Sequence, residues 1–178
     1  MILLLAACLD DEVGDVETAG EYVAFQSDFE DYQDWPNAQV ADAPVGTTHL
    51  TGPRWVYIDE PPPPGALEFP IGTHIVKEAR NGDEEEWDVF AMVKRGGGYN
   101  PAGARDWEWF ELDLSSGTPV IAWRGENPPA FSGYECVNLD GTLDQDGDCS
   151  GCHASSWEND YVQDKVLQLD AISVGAQP

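Results

Sequence analysis

Positive charge is what this sequence most lacks. Its 178 residues carry Lys+Arg 8 against Asp+Glu 34, a formal net charge of −26. A surface so acidic is repelled by phosphate backbones and anionic headgroups. That disfavours nucleic acid as a partner and favours a small neutral or cationic substrate, or a basic protein. Long apolar runs are also missing, since none approaches the ~20 residues needed to span a bilayer. No internal repeat is present. Histidine (3), methionine (2) and cysteine (4) are scarce, so each one can be placed individually. Aromatic residues, by contrast, are plentiful at 11%, seven of them Trp. They exclude a wholly disordered acidic chain, which would lack the apolar groups that offset ordering entropy. The length fits one domain around one core.

The chain begins Met1-Ile2-Leu3-Leu4-Leu5-Ala6-Ala7-Cys8 and turns acidic at once with Leu9-Asp10-Asp11-Glu12. An apolar run ending in Leu-Ala-Ala-Cys is similar to a bacterial lipoprotein signal, in which acyl chains on Cys8 tether a soluble protein to a membrane. The run is at the short limit for such a segment and no Lys or Arg precedes it, so a buried strand is the plain alternative. The reading is therefore export, as a periplasmic or outer-membrane-anchored lipoprotein. Residues 1–8 form the signal segment, 9–20 an acidic tether, 21–173 one domain, and 174–178 a frayed tail.

Within the domain, Phe25, Phe29, Tyr32 and Trp35 are spaced as one face of a helix ended by Pro36, with Ser27 or Asp28 as its cap. Short β-branched and aromatic segments follow. Strands are expected at Arg54–Ile58, Thr73–Glu78, Trp87–Lys94, Trp107–Leu114 and Val120–Trp123, with a turn at Asn81-Gly82 and a stiff connector at Pro61–Pro64. Residues from Pro128 to Gly147 read as loop, and a short helix is expected from Tyr161 to Leu169. The class is α+β, dominated by an antiparallel sheet of about five strands.

The densest chemical signal is Cys149-Ser150-Gly151-Cys152-His153, the C-x-x-C-H of c-type haem attachment. Two thiols at this spacing reach the two haem vinyls, and the adjoining histidine reaches the iron from one side. Two other chemistries use similar residues. A zinc site would need a fourth ligand, for which Cys136 or His74 could serve. A redox dithiol would need a βαβ context that the strand pattern does not provide. With haem on Cys149 and Cys152 and lipid on Cys8, Cys136 is left without an obvious partner, either as a free buried thiol or as one that pairs between chains. Met92, His49 and His74 are the candidates for a sixth iron ligand. Each has an ordinary alternative, core packing for Met92 and a hydrogen-bonded or surface role for the histidines. An open distal site, suited to a small molecule, is the default.

The segments Arg54-Trp55-Val56-Tyr57-Ile58-Asp59 and Phe69-Pro70-Ile71-Gly72-Thr73-His74-Ile75-Val76-Lys77-Glu78, followed by Cys149–His153, resemble the cytochrome P-460 family. Ala91–Arg95 and Asp106–Phe110 are similar to its later strands, and the likeness runs in order from about Phe25 to Val162. The resemblance implies a mostly β, dimeric c-haem protein with five-coordinate iron. For the enzymatic members of that family it also implies oxidation of hydroxylamine to nitrous oxide or nitric oxide, with a lysine bonded to the porphyrin. That lysine falls on Lys77, one of only three in the chain. The plain alternative is a surface lysine beside a carboxylate. Strand alternation sets Lys77 with Thr73 and Ile75, opposite His74, Val76 and Glu78, and an apolar residue on each face leaves the haem side open.

The related cytochromes c-prime-beta lack the cross-link and bind nitric oxide beneath an aromatic residue, a position that falls on Phe69. Arg54 is placed toward the distal side or a propionate, with a surface ion pair as its alternative. The long segment Pro128–Gly147 departs from the family pattern, leaving Glu126 and Glu135 as loose candidates for the distal base. Within it, Asp140–Asp148 carries alternating oxygen ligands that resemble a calcium loop. The full EF-hand signature is absent, and a solvated acidic turn competes. A basic cytochrome would be a natural electron acceptor for so acidic a surface.

Overall fold

The computed structural model describes residues 20–40, 52–130, 136–137, 143–144 and 148–172. The signal segment with Cys8, most of the tether, His49, Glu135, most of the calcium-like loop and the C-terminal tail lie outside the described residues.

Six antiparallel strands form a sheet in simple sequence order: β1 (Asn37–Val40), β2 (Arg54–Ile58), β3 (His74–Ala79), β4 (Asp88–Lys94), β5 (Trp107–Asp113) and β6 (Val120–Gly125). A separate two-stranded ribbon pairs β7 (Cys136–Val137) with β8 (Leu143–Asp144) inside the segment expected to be loop. The single α-helical turn among the described residues, α1 (Cys149–His153), holds the whole C-x-x-C-H motif. A mostly antiparallel sheet with short helices is compatible with the α+β class.

Two expectations are corrected. Phe25 to Trp35 is not one helix but two 3-10 turns, Gln26–Phe29 and Tyr32–Asp34. Asp28 stabilises the first by accepting the Phe25 amide at 2.7 Å, while Phe25 itself is 65% exposed. The region after His153 likewise folds as 3-10 turns, Ala154–Asn159 and Lys165–Leu167, rather than as a helix to Leu169. β1 was not anticipated, because Asn37-Ala38-Gln39-Val40 has one β-branched residue. It is held by its register with β2, Asn37 opposite Tyr57 and Val40 opposite Arg54.

Both sides of the sheet are covered. On one side, here called the closed face, Tyr57, Val76, Ala91 and Phe110 lie in register and pack with Phe29 and Tyr32 of the N-terminal segment. On the other, the site face, Ile58, Ile75, Met92 and Trp109 lie in register and pack with Val162, Leu167 and Cys149 of the C-terminal segment. Because side chains alternate along each strand, every residue of β3 is assigned a side.

Candidate functional site

The site is built on the site face by α1 and the segment after it. Asp148 is the N-cap of α1, its side chain accepting the Gly151 amide. Ser150, the first residue between the two cysteines, is buried, and its Oγ accepts Asn100 Nδ2 at 2.9 Å and Trp109 Nε1 at 3.3 Å. These bonds seat the motif on β5. Gly103 allows the close approach, since a Cβ there would overlap Asn100 Oδ1 and Ser150 Oγ.

His153 projects from the end of this turn. Its ring centroid lies 4.6 Å from that of Trp109, and its Nδ1 is 2.6 Å from the carbonyl oxygen of Tyr161. A carbonyl can only accept, so Nδ1 carries the proton and Nε2 is the lone-pair nitrogen. Among the described residues Nε2 has no hydrogen-bond partner. Burial, and secondarily the nearby Lys77 ammonium, push the imidazole down to about 4 from the usual 6.5. It is therefore neutral at physiological pH, the form that binds a metal. Gln163 Nε2 donates to the Cys152 carbonyl and closes the segment back on α1.

The two motif cysteines differ. Cys149 is a free, half-buried thiol, pushed up to about 12 by burial and by Asp148, against the opposing effect of Lys77. It is thus a poor thiolate nucleophile at neutral pH, which counts against a redox dithiol. Cys152 is disulfide-bonded, and its partner's side chain lies outside the described ones.

The register settles the side on which Lys77 falls. Lys77 is opposite Val56 and Phe90, on the site face with Ile75, and its ammonium acts on both Cys149 and His153. The same row continues through Phe90 to Glu111 and Trp123. Lys77, Phe90, Glu111 and Trp123 are all half-buried, in contrast to the sealed row through Ile75 and Trp109. Arg54 is buried, one row further along the same face, opposite Ala79, which is itself opposite Asp88. Asp88 is raised above the usual carboxylate range, by burial and then by the charge of Glu111.

Phe69 is buried with its ring 5.8 Å from Trp107, and its amide donates to Asp160 at 2.9 Å, so it supports the segment carrying Tyr161. Met92 is a buried core residue on the site face, in register with Ile75 and Trp109. His74 belongs to the closed face. Its Nδ1 is 2.8 Å from Asp59, and its ring meets Tyr22, Phe29 and Trp35. The sheet thus separates His74 from α1, and it cannot serve as the fourth zinc ligand or the sixth iron ligand. No group of three or more His, Cys, Asp or Glu able to hold a metal ion occurs among the described residues. Asp148, the last residue of the calcium-like loop, uses its carboxylate as the helix cap. Glu126 is exposed just after β6.

Sequence alone does not single out Trp109, Phe90, Glu111 and Asp88 as site residues. Their only signal was alternation within strands already recognised, Asp88-x-Phe90 and Trp109-x-Glu111, and it acquires meaning once the side occupied by α1 is known. No family model, curated protein or solved structure matches the chain. No helix among the described residues is long and apolar enough to cross a membrane.

Proposed function

We propose that this chain is an exported mono-haem c-type cytochrome of the P-460 type, whose open haem side binds or oxidises a small nitrogen compound such as hydroxylamine or nitric oxide. The observation that carries the reading is His153: a neutral imidazole fixed through Nδ1–H to a backbone carbonyl, with no partner for Nε2 among the described residues, at the end of a C-x-x-C-H turn. That arrangement is what a haem-ligating histidine needs, because the bond at Nδ1 sets both tautomer and ring orientation.

With Cys152 reduced, the donor set fits the group. Cys149 and Cys152 would bond the vinyls, and His153 would hold the iron through Nε2. Lys77 shares their face and is close enough to act electrostatically on both Cys149 and His153. In the P-460 reading Lys77 is the residue bonded to the porphyrin. When bound, the haem supplies the electron-accepting centre for oxidation of nitrogen. Around it, Phe90 and Trp123 would exclude water, Arg54 would supply positive charge on the same face, and Glu111 and Asp88 would be the carboxylates that accept protons. A chain with net charge −26 would pass electrons to a basic cytochrome, with docking that weakens as salt rises. Lipid on Cys8 and a homodimer complete the proposal.

The disulfide at Cys152 suits an oxidising compartment and thus export. It also means that a thioether at Cys152 requires prior two-electron reduction of that bond. The same disulfide favours a second reading, a haem-free exported domain in which Cys152 is a covalent staple. The experiment is the ferrous absorption spectrum of the full chain matured in a haem-attaching periplasm. A red-shifted Soret band that Lys77→Ala abolishes supports the cross-linked, hydroxylamine-oxidising form. A c-haem spectrum unchanged by Lys77→Ala moves the assignment to nitric oxide binding or electron transfer.

A further inference from the structure

The carbonyl that holds His153 belongs to an unusual piece of backbone. Asp160 and Tyr161 are consecutive non-glycine residues at positive φ, 51° and 66°. Left-handed backbone is strained for residues other than glycine, and such geometry persists only where the surroundings over-determine it. Here the surroundings are specific. The Asp160 carboxylate accepts Lys94 Nζ at 2.6 Å and the Phe69 amide at 2.9 Å. Lys94 and Asp160 are 3% and 6% exposed, and Lys94 Nζ lies 5.2 Å from the centre of the Trp107 ring. From the chain side, the Tyr161 amide donates to Ser156 at 2.9 Å and the Val162 amide to Asn159 at 3.0 Å.

An ion pair this deeply buried is weak evidence of stability, because desolvation of both charges offsets their attraction. Its geometric consequence is clearer. Lys94 is in the last position of β4, so the pair ties the left-handed corner to the sheet one residue before the carbonyl that receives His153 Nδ1.

We propose that Lys94 and Asp160 are positioning residues for His153: the buried pair holds the strained Asp160–Tyr161 corner so that the Tyr161 carbonyl fixes the tautomer and direction of the imidazole. As a statement about an iron ligand this rests on the haem reading, whereas as a statement about His153 itself it does not.

The test uses the full chain, with and without haem. Asp160→Asn alone would strand a buried Lys94 charge and risks unfolding. The main variant is therefore Lys94→Met/Asp160→Gly, which removes both charges and accommodates the positive φ. Lys94→Met/Asp160→Asn keeps an acceptor for the Phe69 amide and serves as the conservative control. Two readouts are taken: the tautomer of His153 from imidazole 15N chemical shifts in the haem-free chain, and the iron–histidine stretching frequency in the ferrous holoprotein.

The expected result is loss of the Nδ1–H preference and a lowered stretching frequency in the glycine double variant, with partial recovery in the asparagine one. A folded glycine double variant with lower thermal stability but unchanged tautomer and frequency overturns the proposal and leaves a merely structural ion pair. Should the wild-type chain take up no haem, the haem reading fails. The 15N measurement then decides the positioning role alone: lost preference upholds it, and unchanged preference overturns it.

Discussion

The two faces of the sheet use charge differently. On the closed face the buried carboxylates Glu78 and Glu108 are answered locally. Glu78, fully buried, accepts Tyr32 OH at 2.7 Å, Tyr57 OH at 2.9 Å and Arg80 Nε at 2.8 Å. Glu108 takes Arg124 in a two-point grip at 2.7 Å each, and Arg124 also binds the Ala24 carbonyl at 2.6 Å, which ties down the N-terminal segment. The Arg80 guanidinium lies 5.0 Å and 4.5 Å from the Trp55 and Trp87 rings. On the site face, Lys77, Glu111 and Asp88 are half-buried, the backbone is strained at Asp160 and Tyr161, and a neutral histidine presents one nitrogen that has no partner among the described residues. The closed face is held by paired charges, and the site face gathers half-buried charge, backbone strain and a neutral imidazole beside α1.

The largest expected effect breaks the closed face. Phe29→Ala removes a fully buried ring that meets Phe110 at 5.3 Å and His74 at 5.5 Å. It is expected to cost about 3–5 kcal/mol in urea unfolding, because a cavity adds to the lost transfer energy. The folded fraction should keep the His153 tautomer; a changed tautomer would mean that the faces are not independent. On the site face, Ser150→Ala strips Asn100 and Trp109 of their shared acceptor. About 1–3 kcal/mol is expected, together with faster amide exchange across residues 149–153. Unchanged exchange would show that Ser150 does not seat α1.

The closed face also predicts a pH response. Burial and Glu78 raise Tyr32 and Tyr57 above the ordinary tyrosine value of 10.0, and burial with Asp28 pushes Tyr22 up to about 12. In the unfolded chain these groups ionise near 10, whereas in the folded protein they keep their protons. Their stabilising contribution is therefore complete below about pH 10 and is lost as pH rises toward 12 and beyond, by up to about 1.4 kcal/mol per pH unit for each group. Tyr32→Phe should make the alkaline limb of the stability curve shallower, and an unchanged slope would contradict the assignment. The smallest effect sharpens the boundary of the closed face. Phe25→Ser, at an exposed position, should shift stability by no more than about 0.5 kcal/mol. A larger loss would restore Phe25 to the core.

Much of this was legible in sequence because strands rich in Val, Ile, Phe and Trp announce themselves. Arg54–Ile58 matches β2, and the other four expected strands fall within two residues of β3 to β6. The Phe25–Trp35 stripe misled because spacings of three and four serve successive 3-10 turns as well as a helix. The side occupied by Lys77 was illegible for a physical reason. With Ile75 and Val76 both buried, the sheet is covered on both faces and alternation carries no label for either. Nor could sequence show the Tyr161 carbonyl on His153, since that bond depends on a backbone reversal at Asp160 that no glycine or proline marks.

The most direct test of the central claim is the intact mass of the full chain after maturation in a haem-attaching periplasm, with Cys149→Ser and His153→Ala alongside. The haem reading predicts a mass increased by one covalent haem in the wild type, lost or held by one thioether in Cys149→Ser, with altered iron ligation in His153→Ala. A wild-type chain that carries no haem mass, and keeps Cys152 in its disulfide, would contradict it.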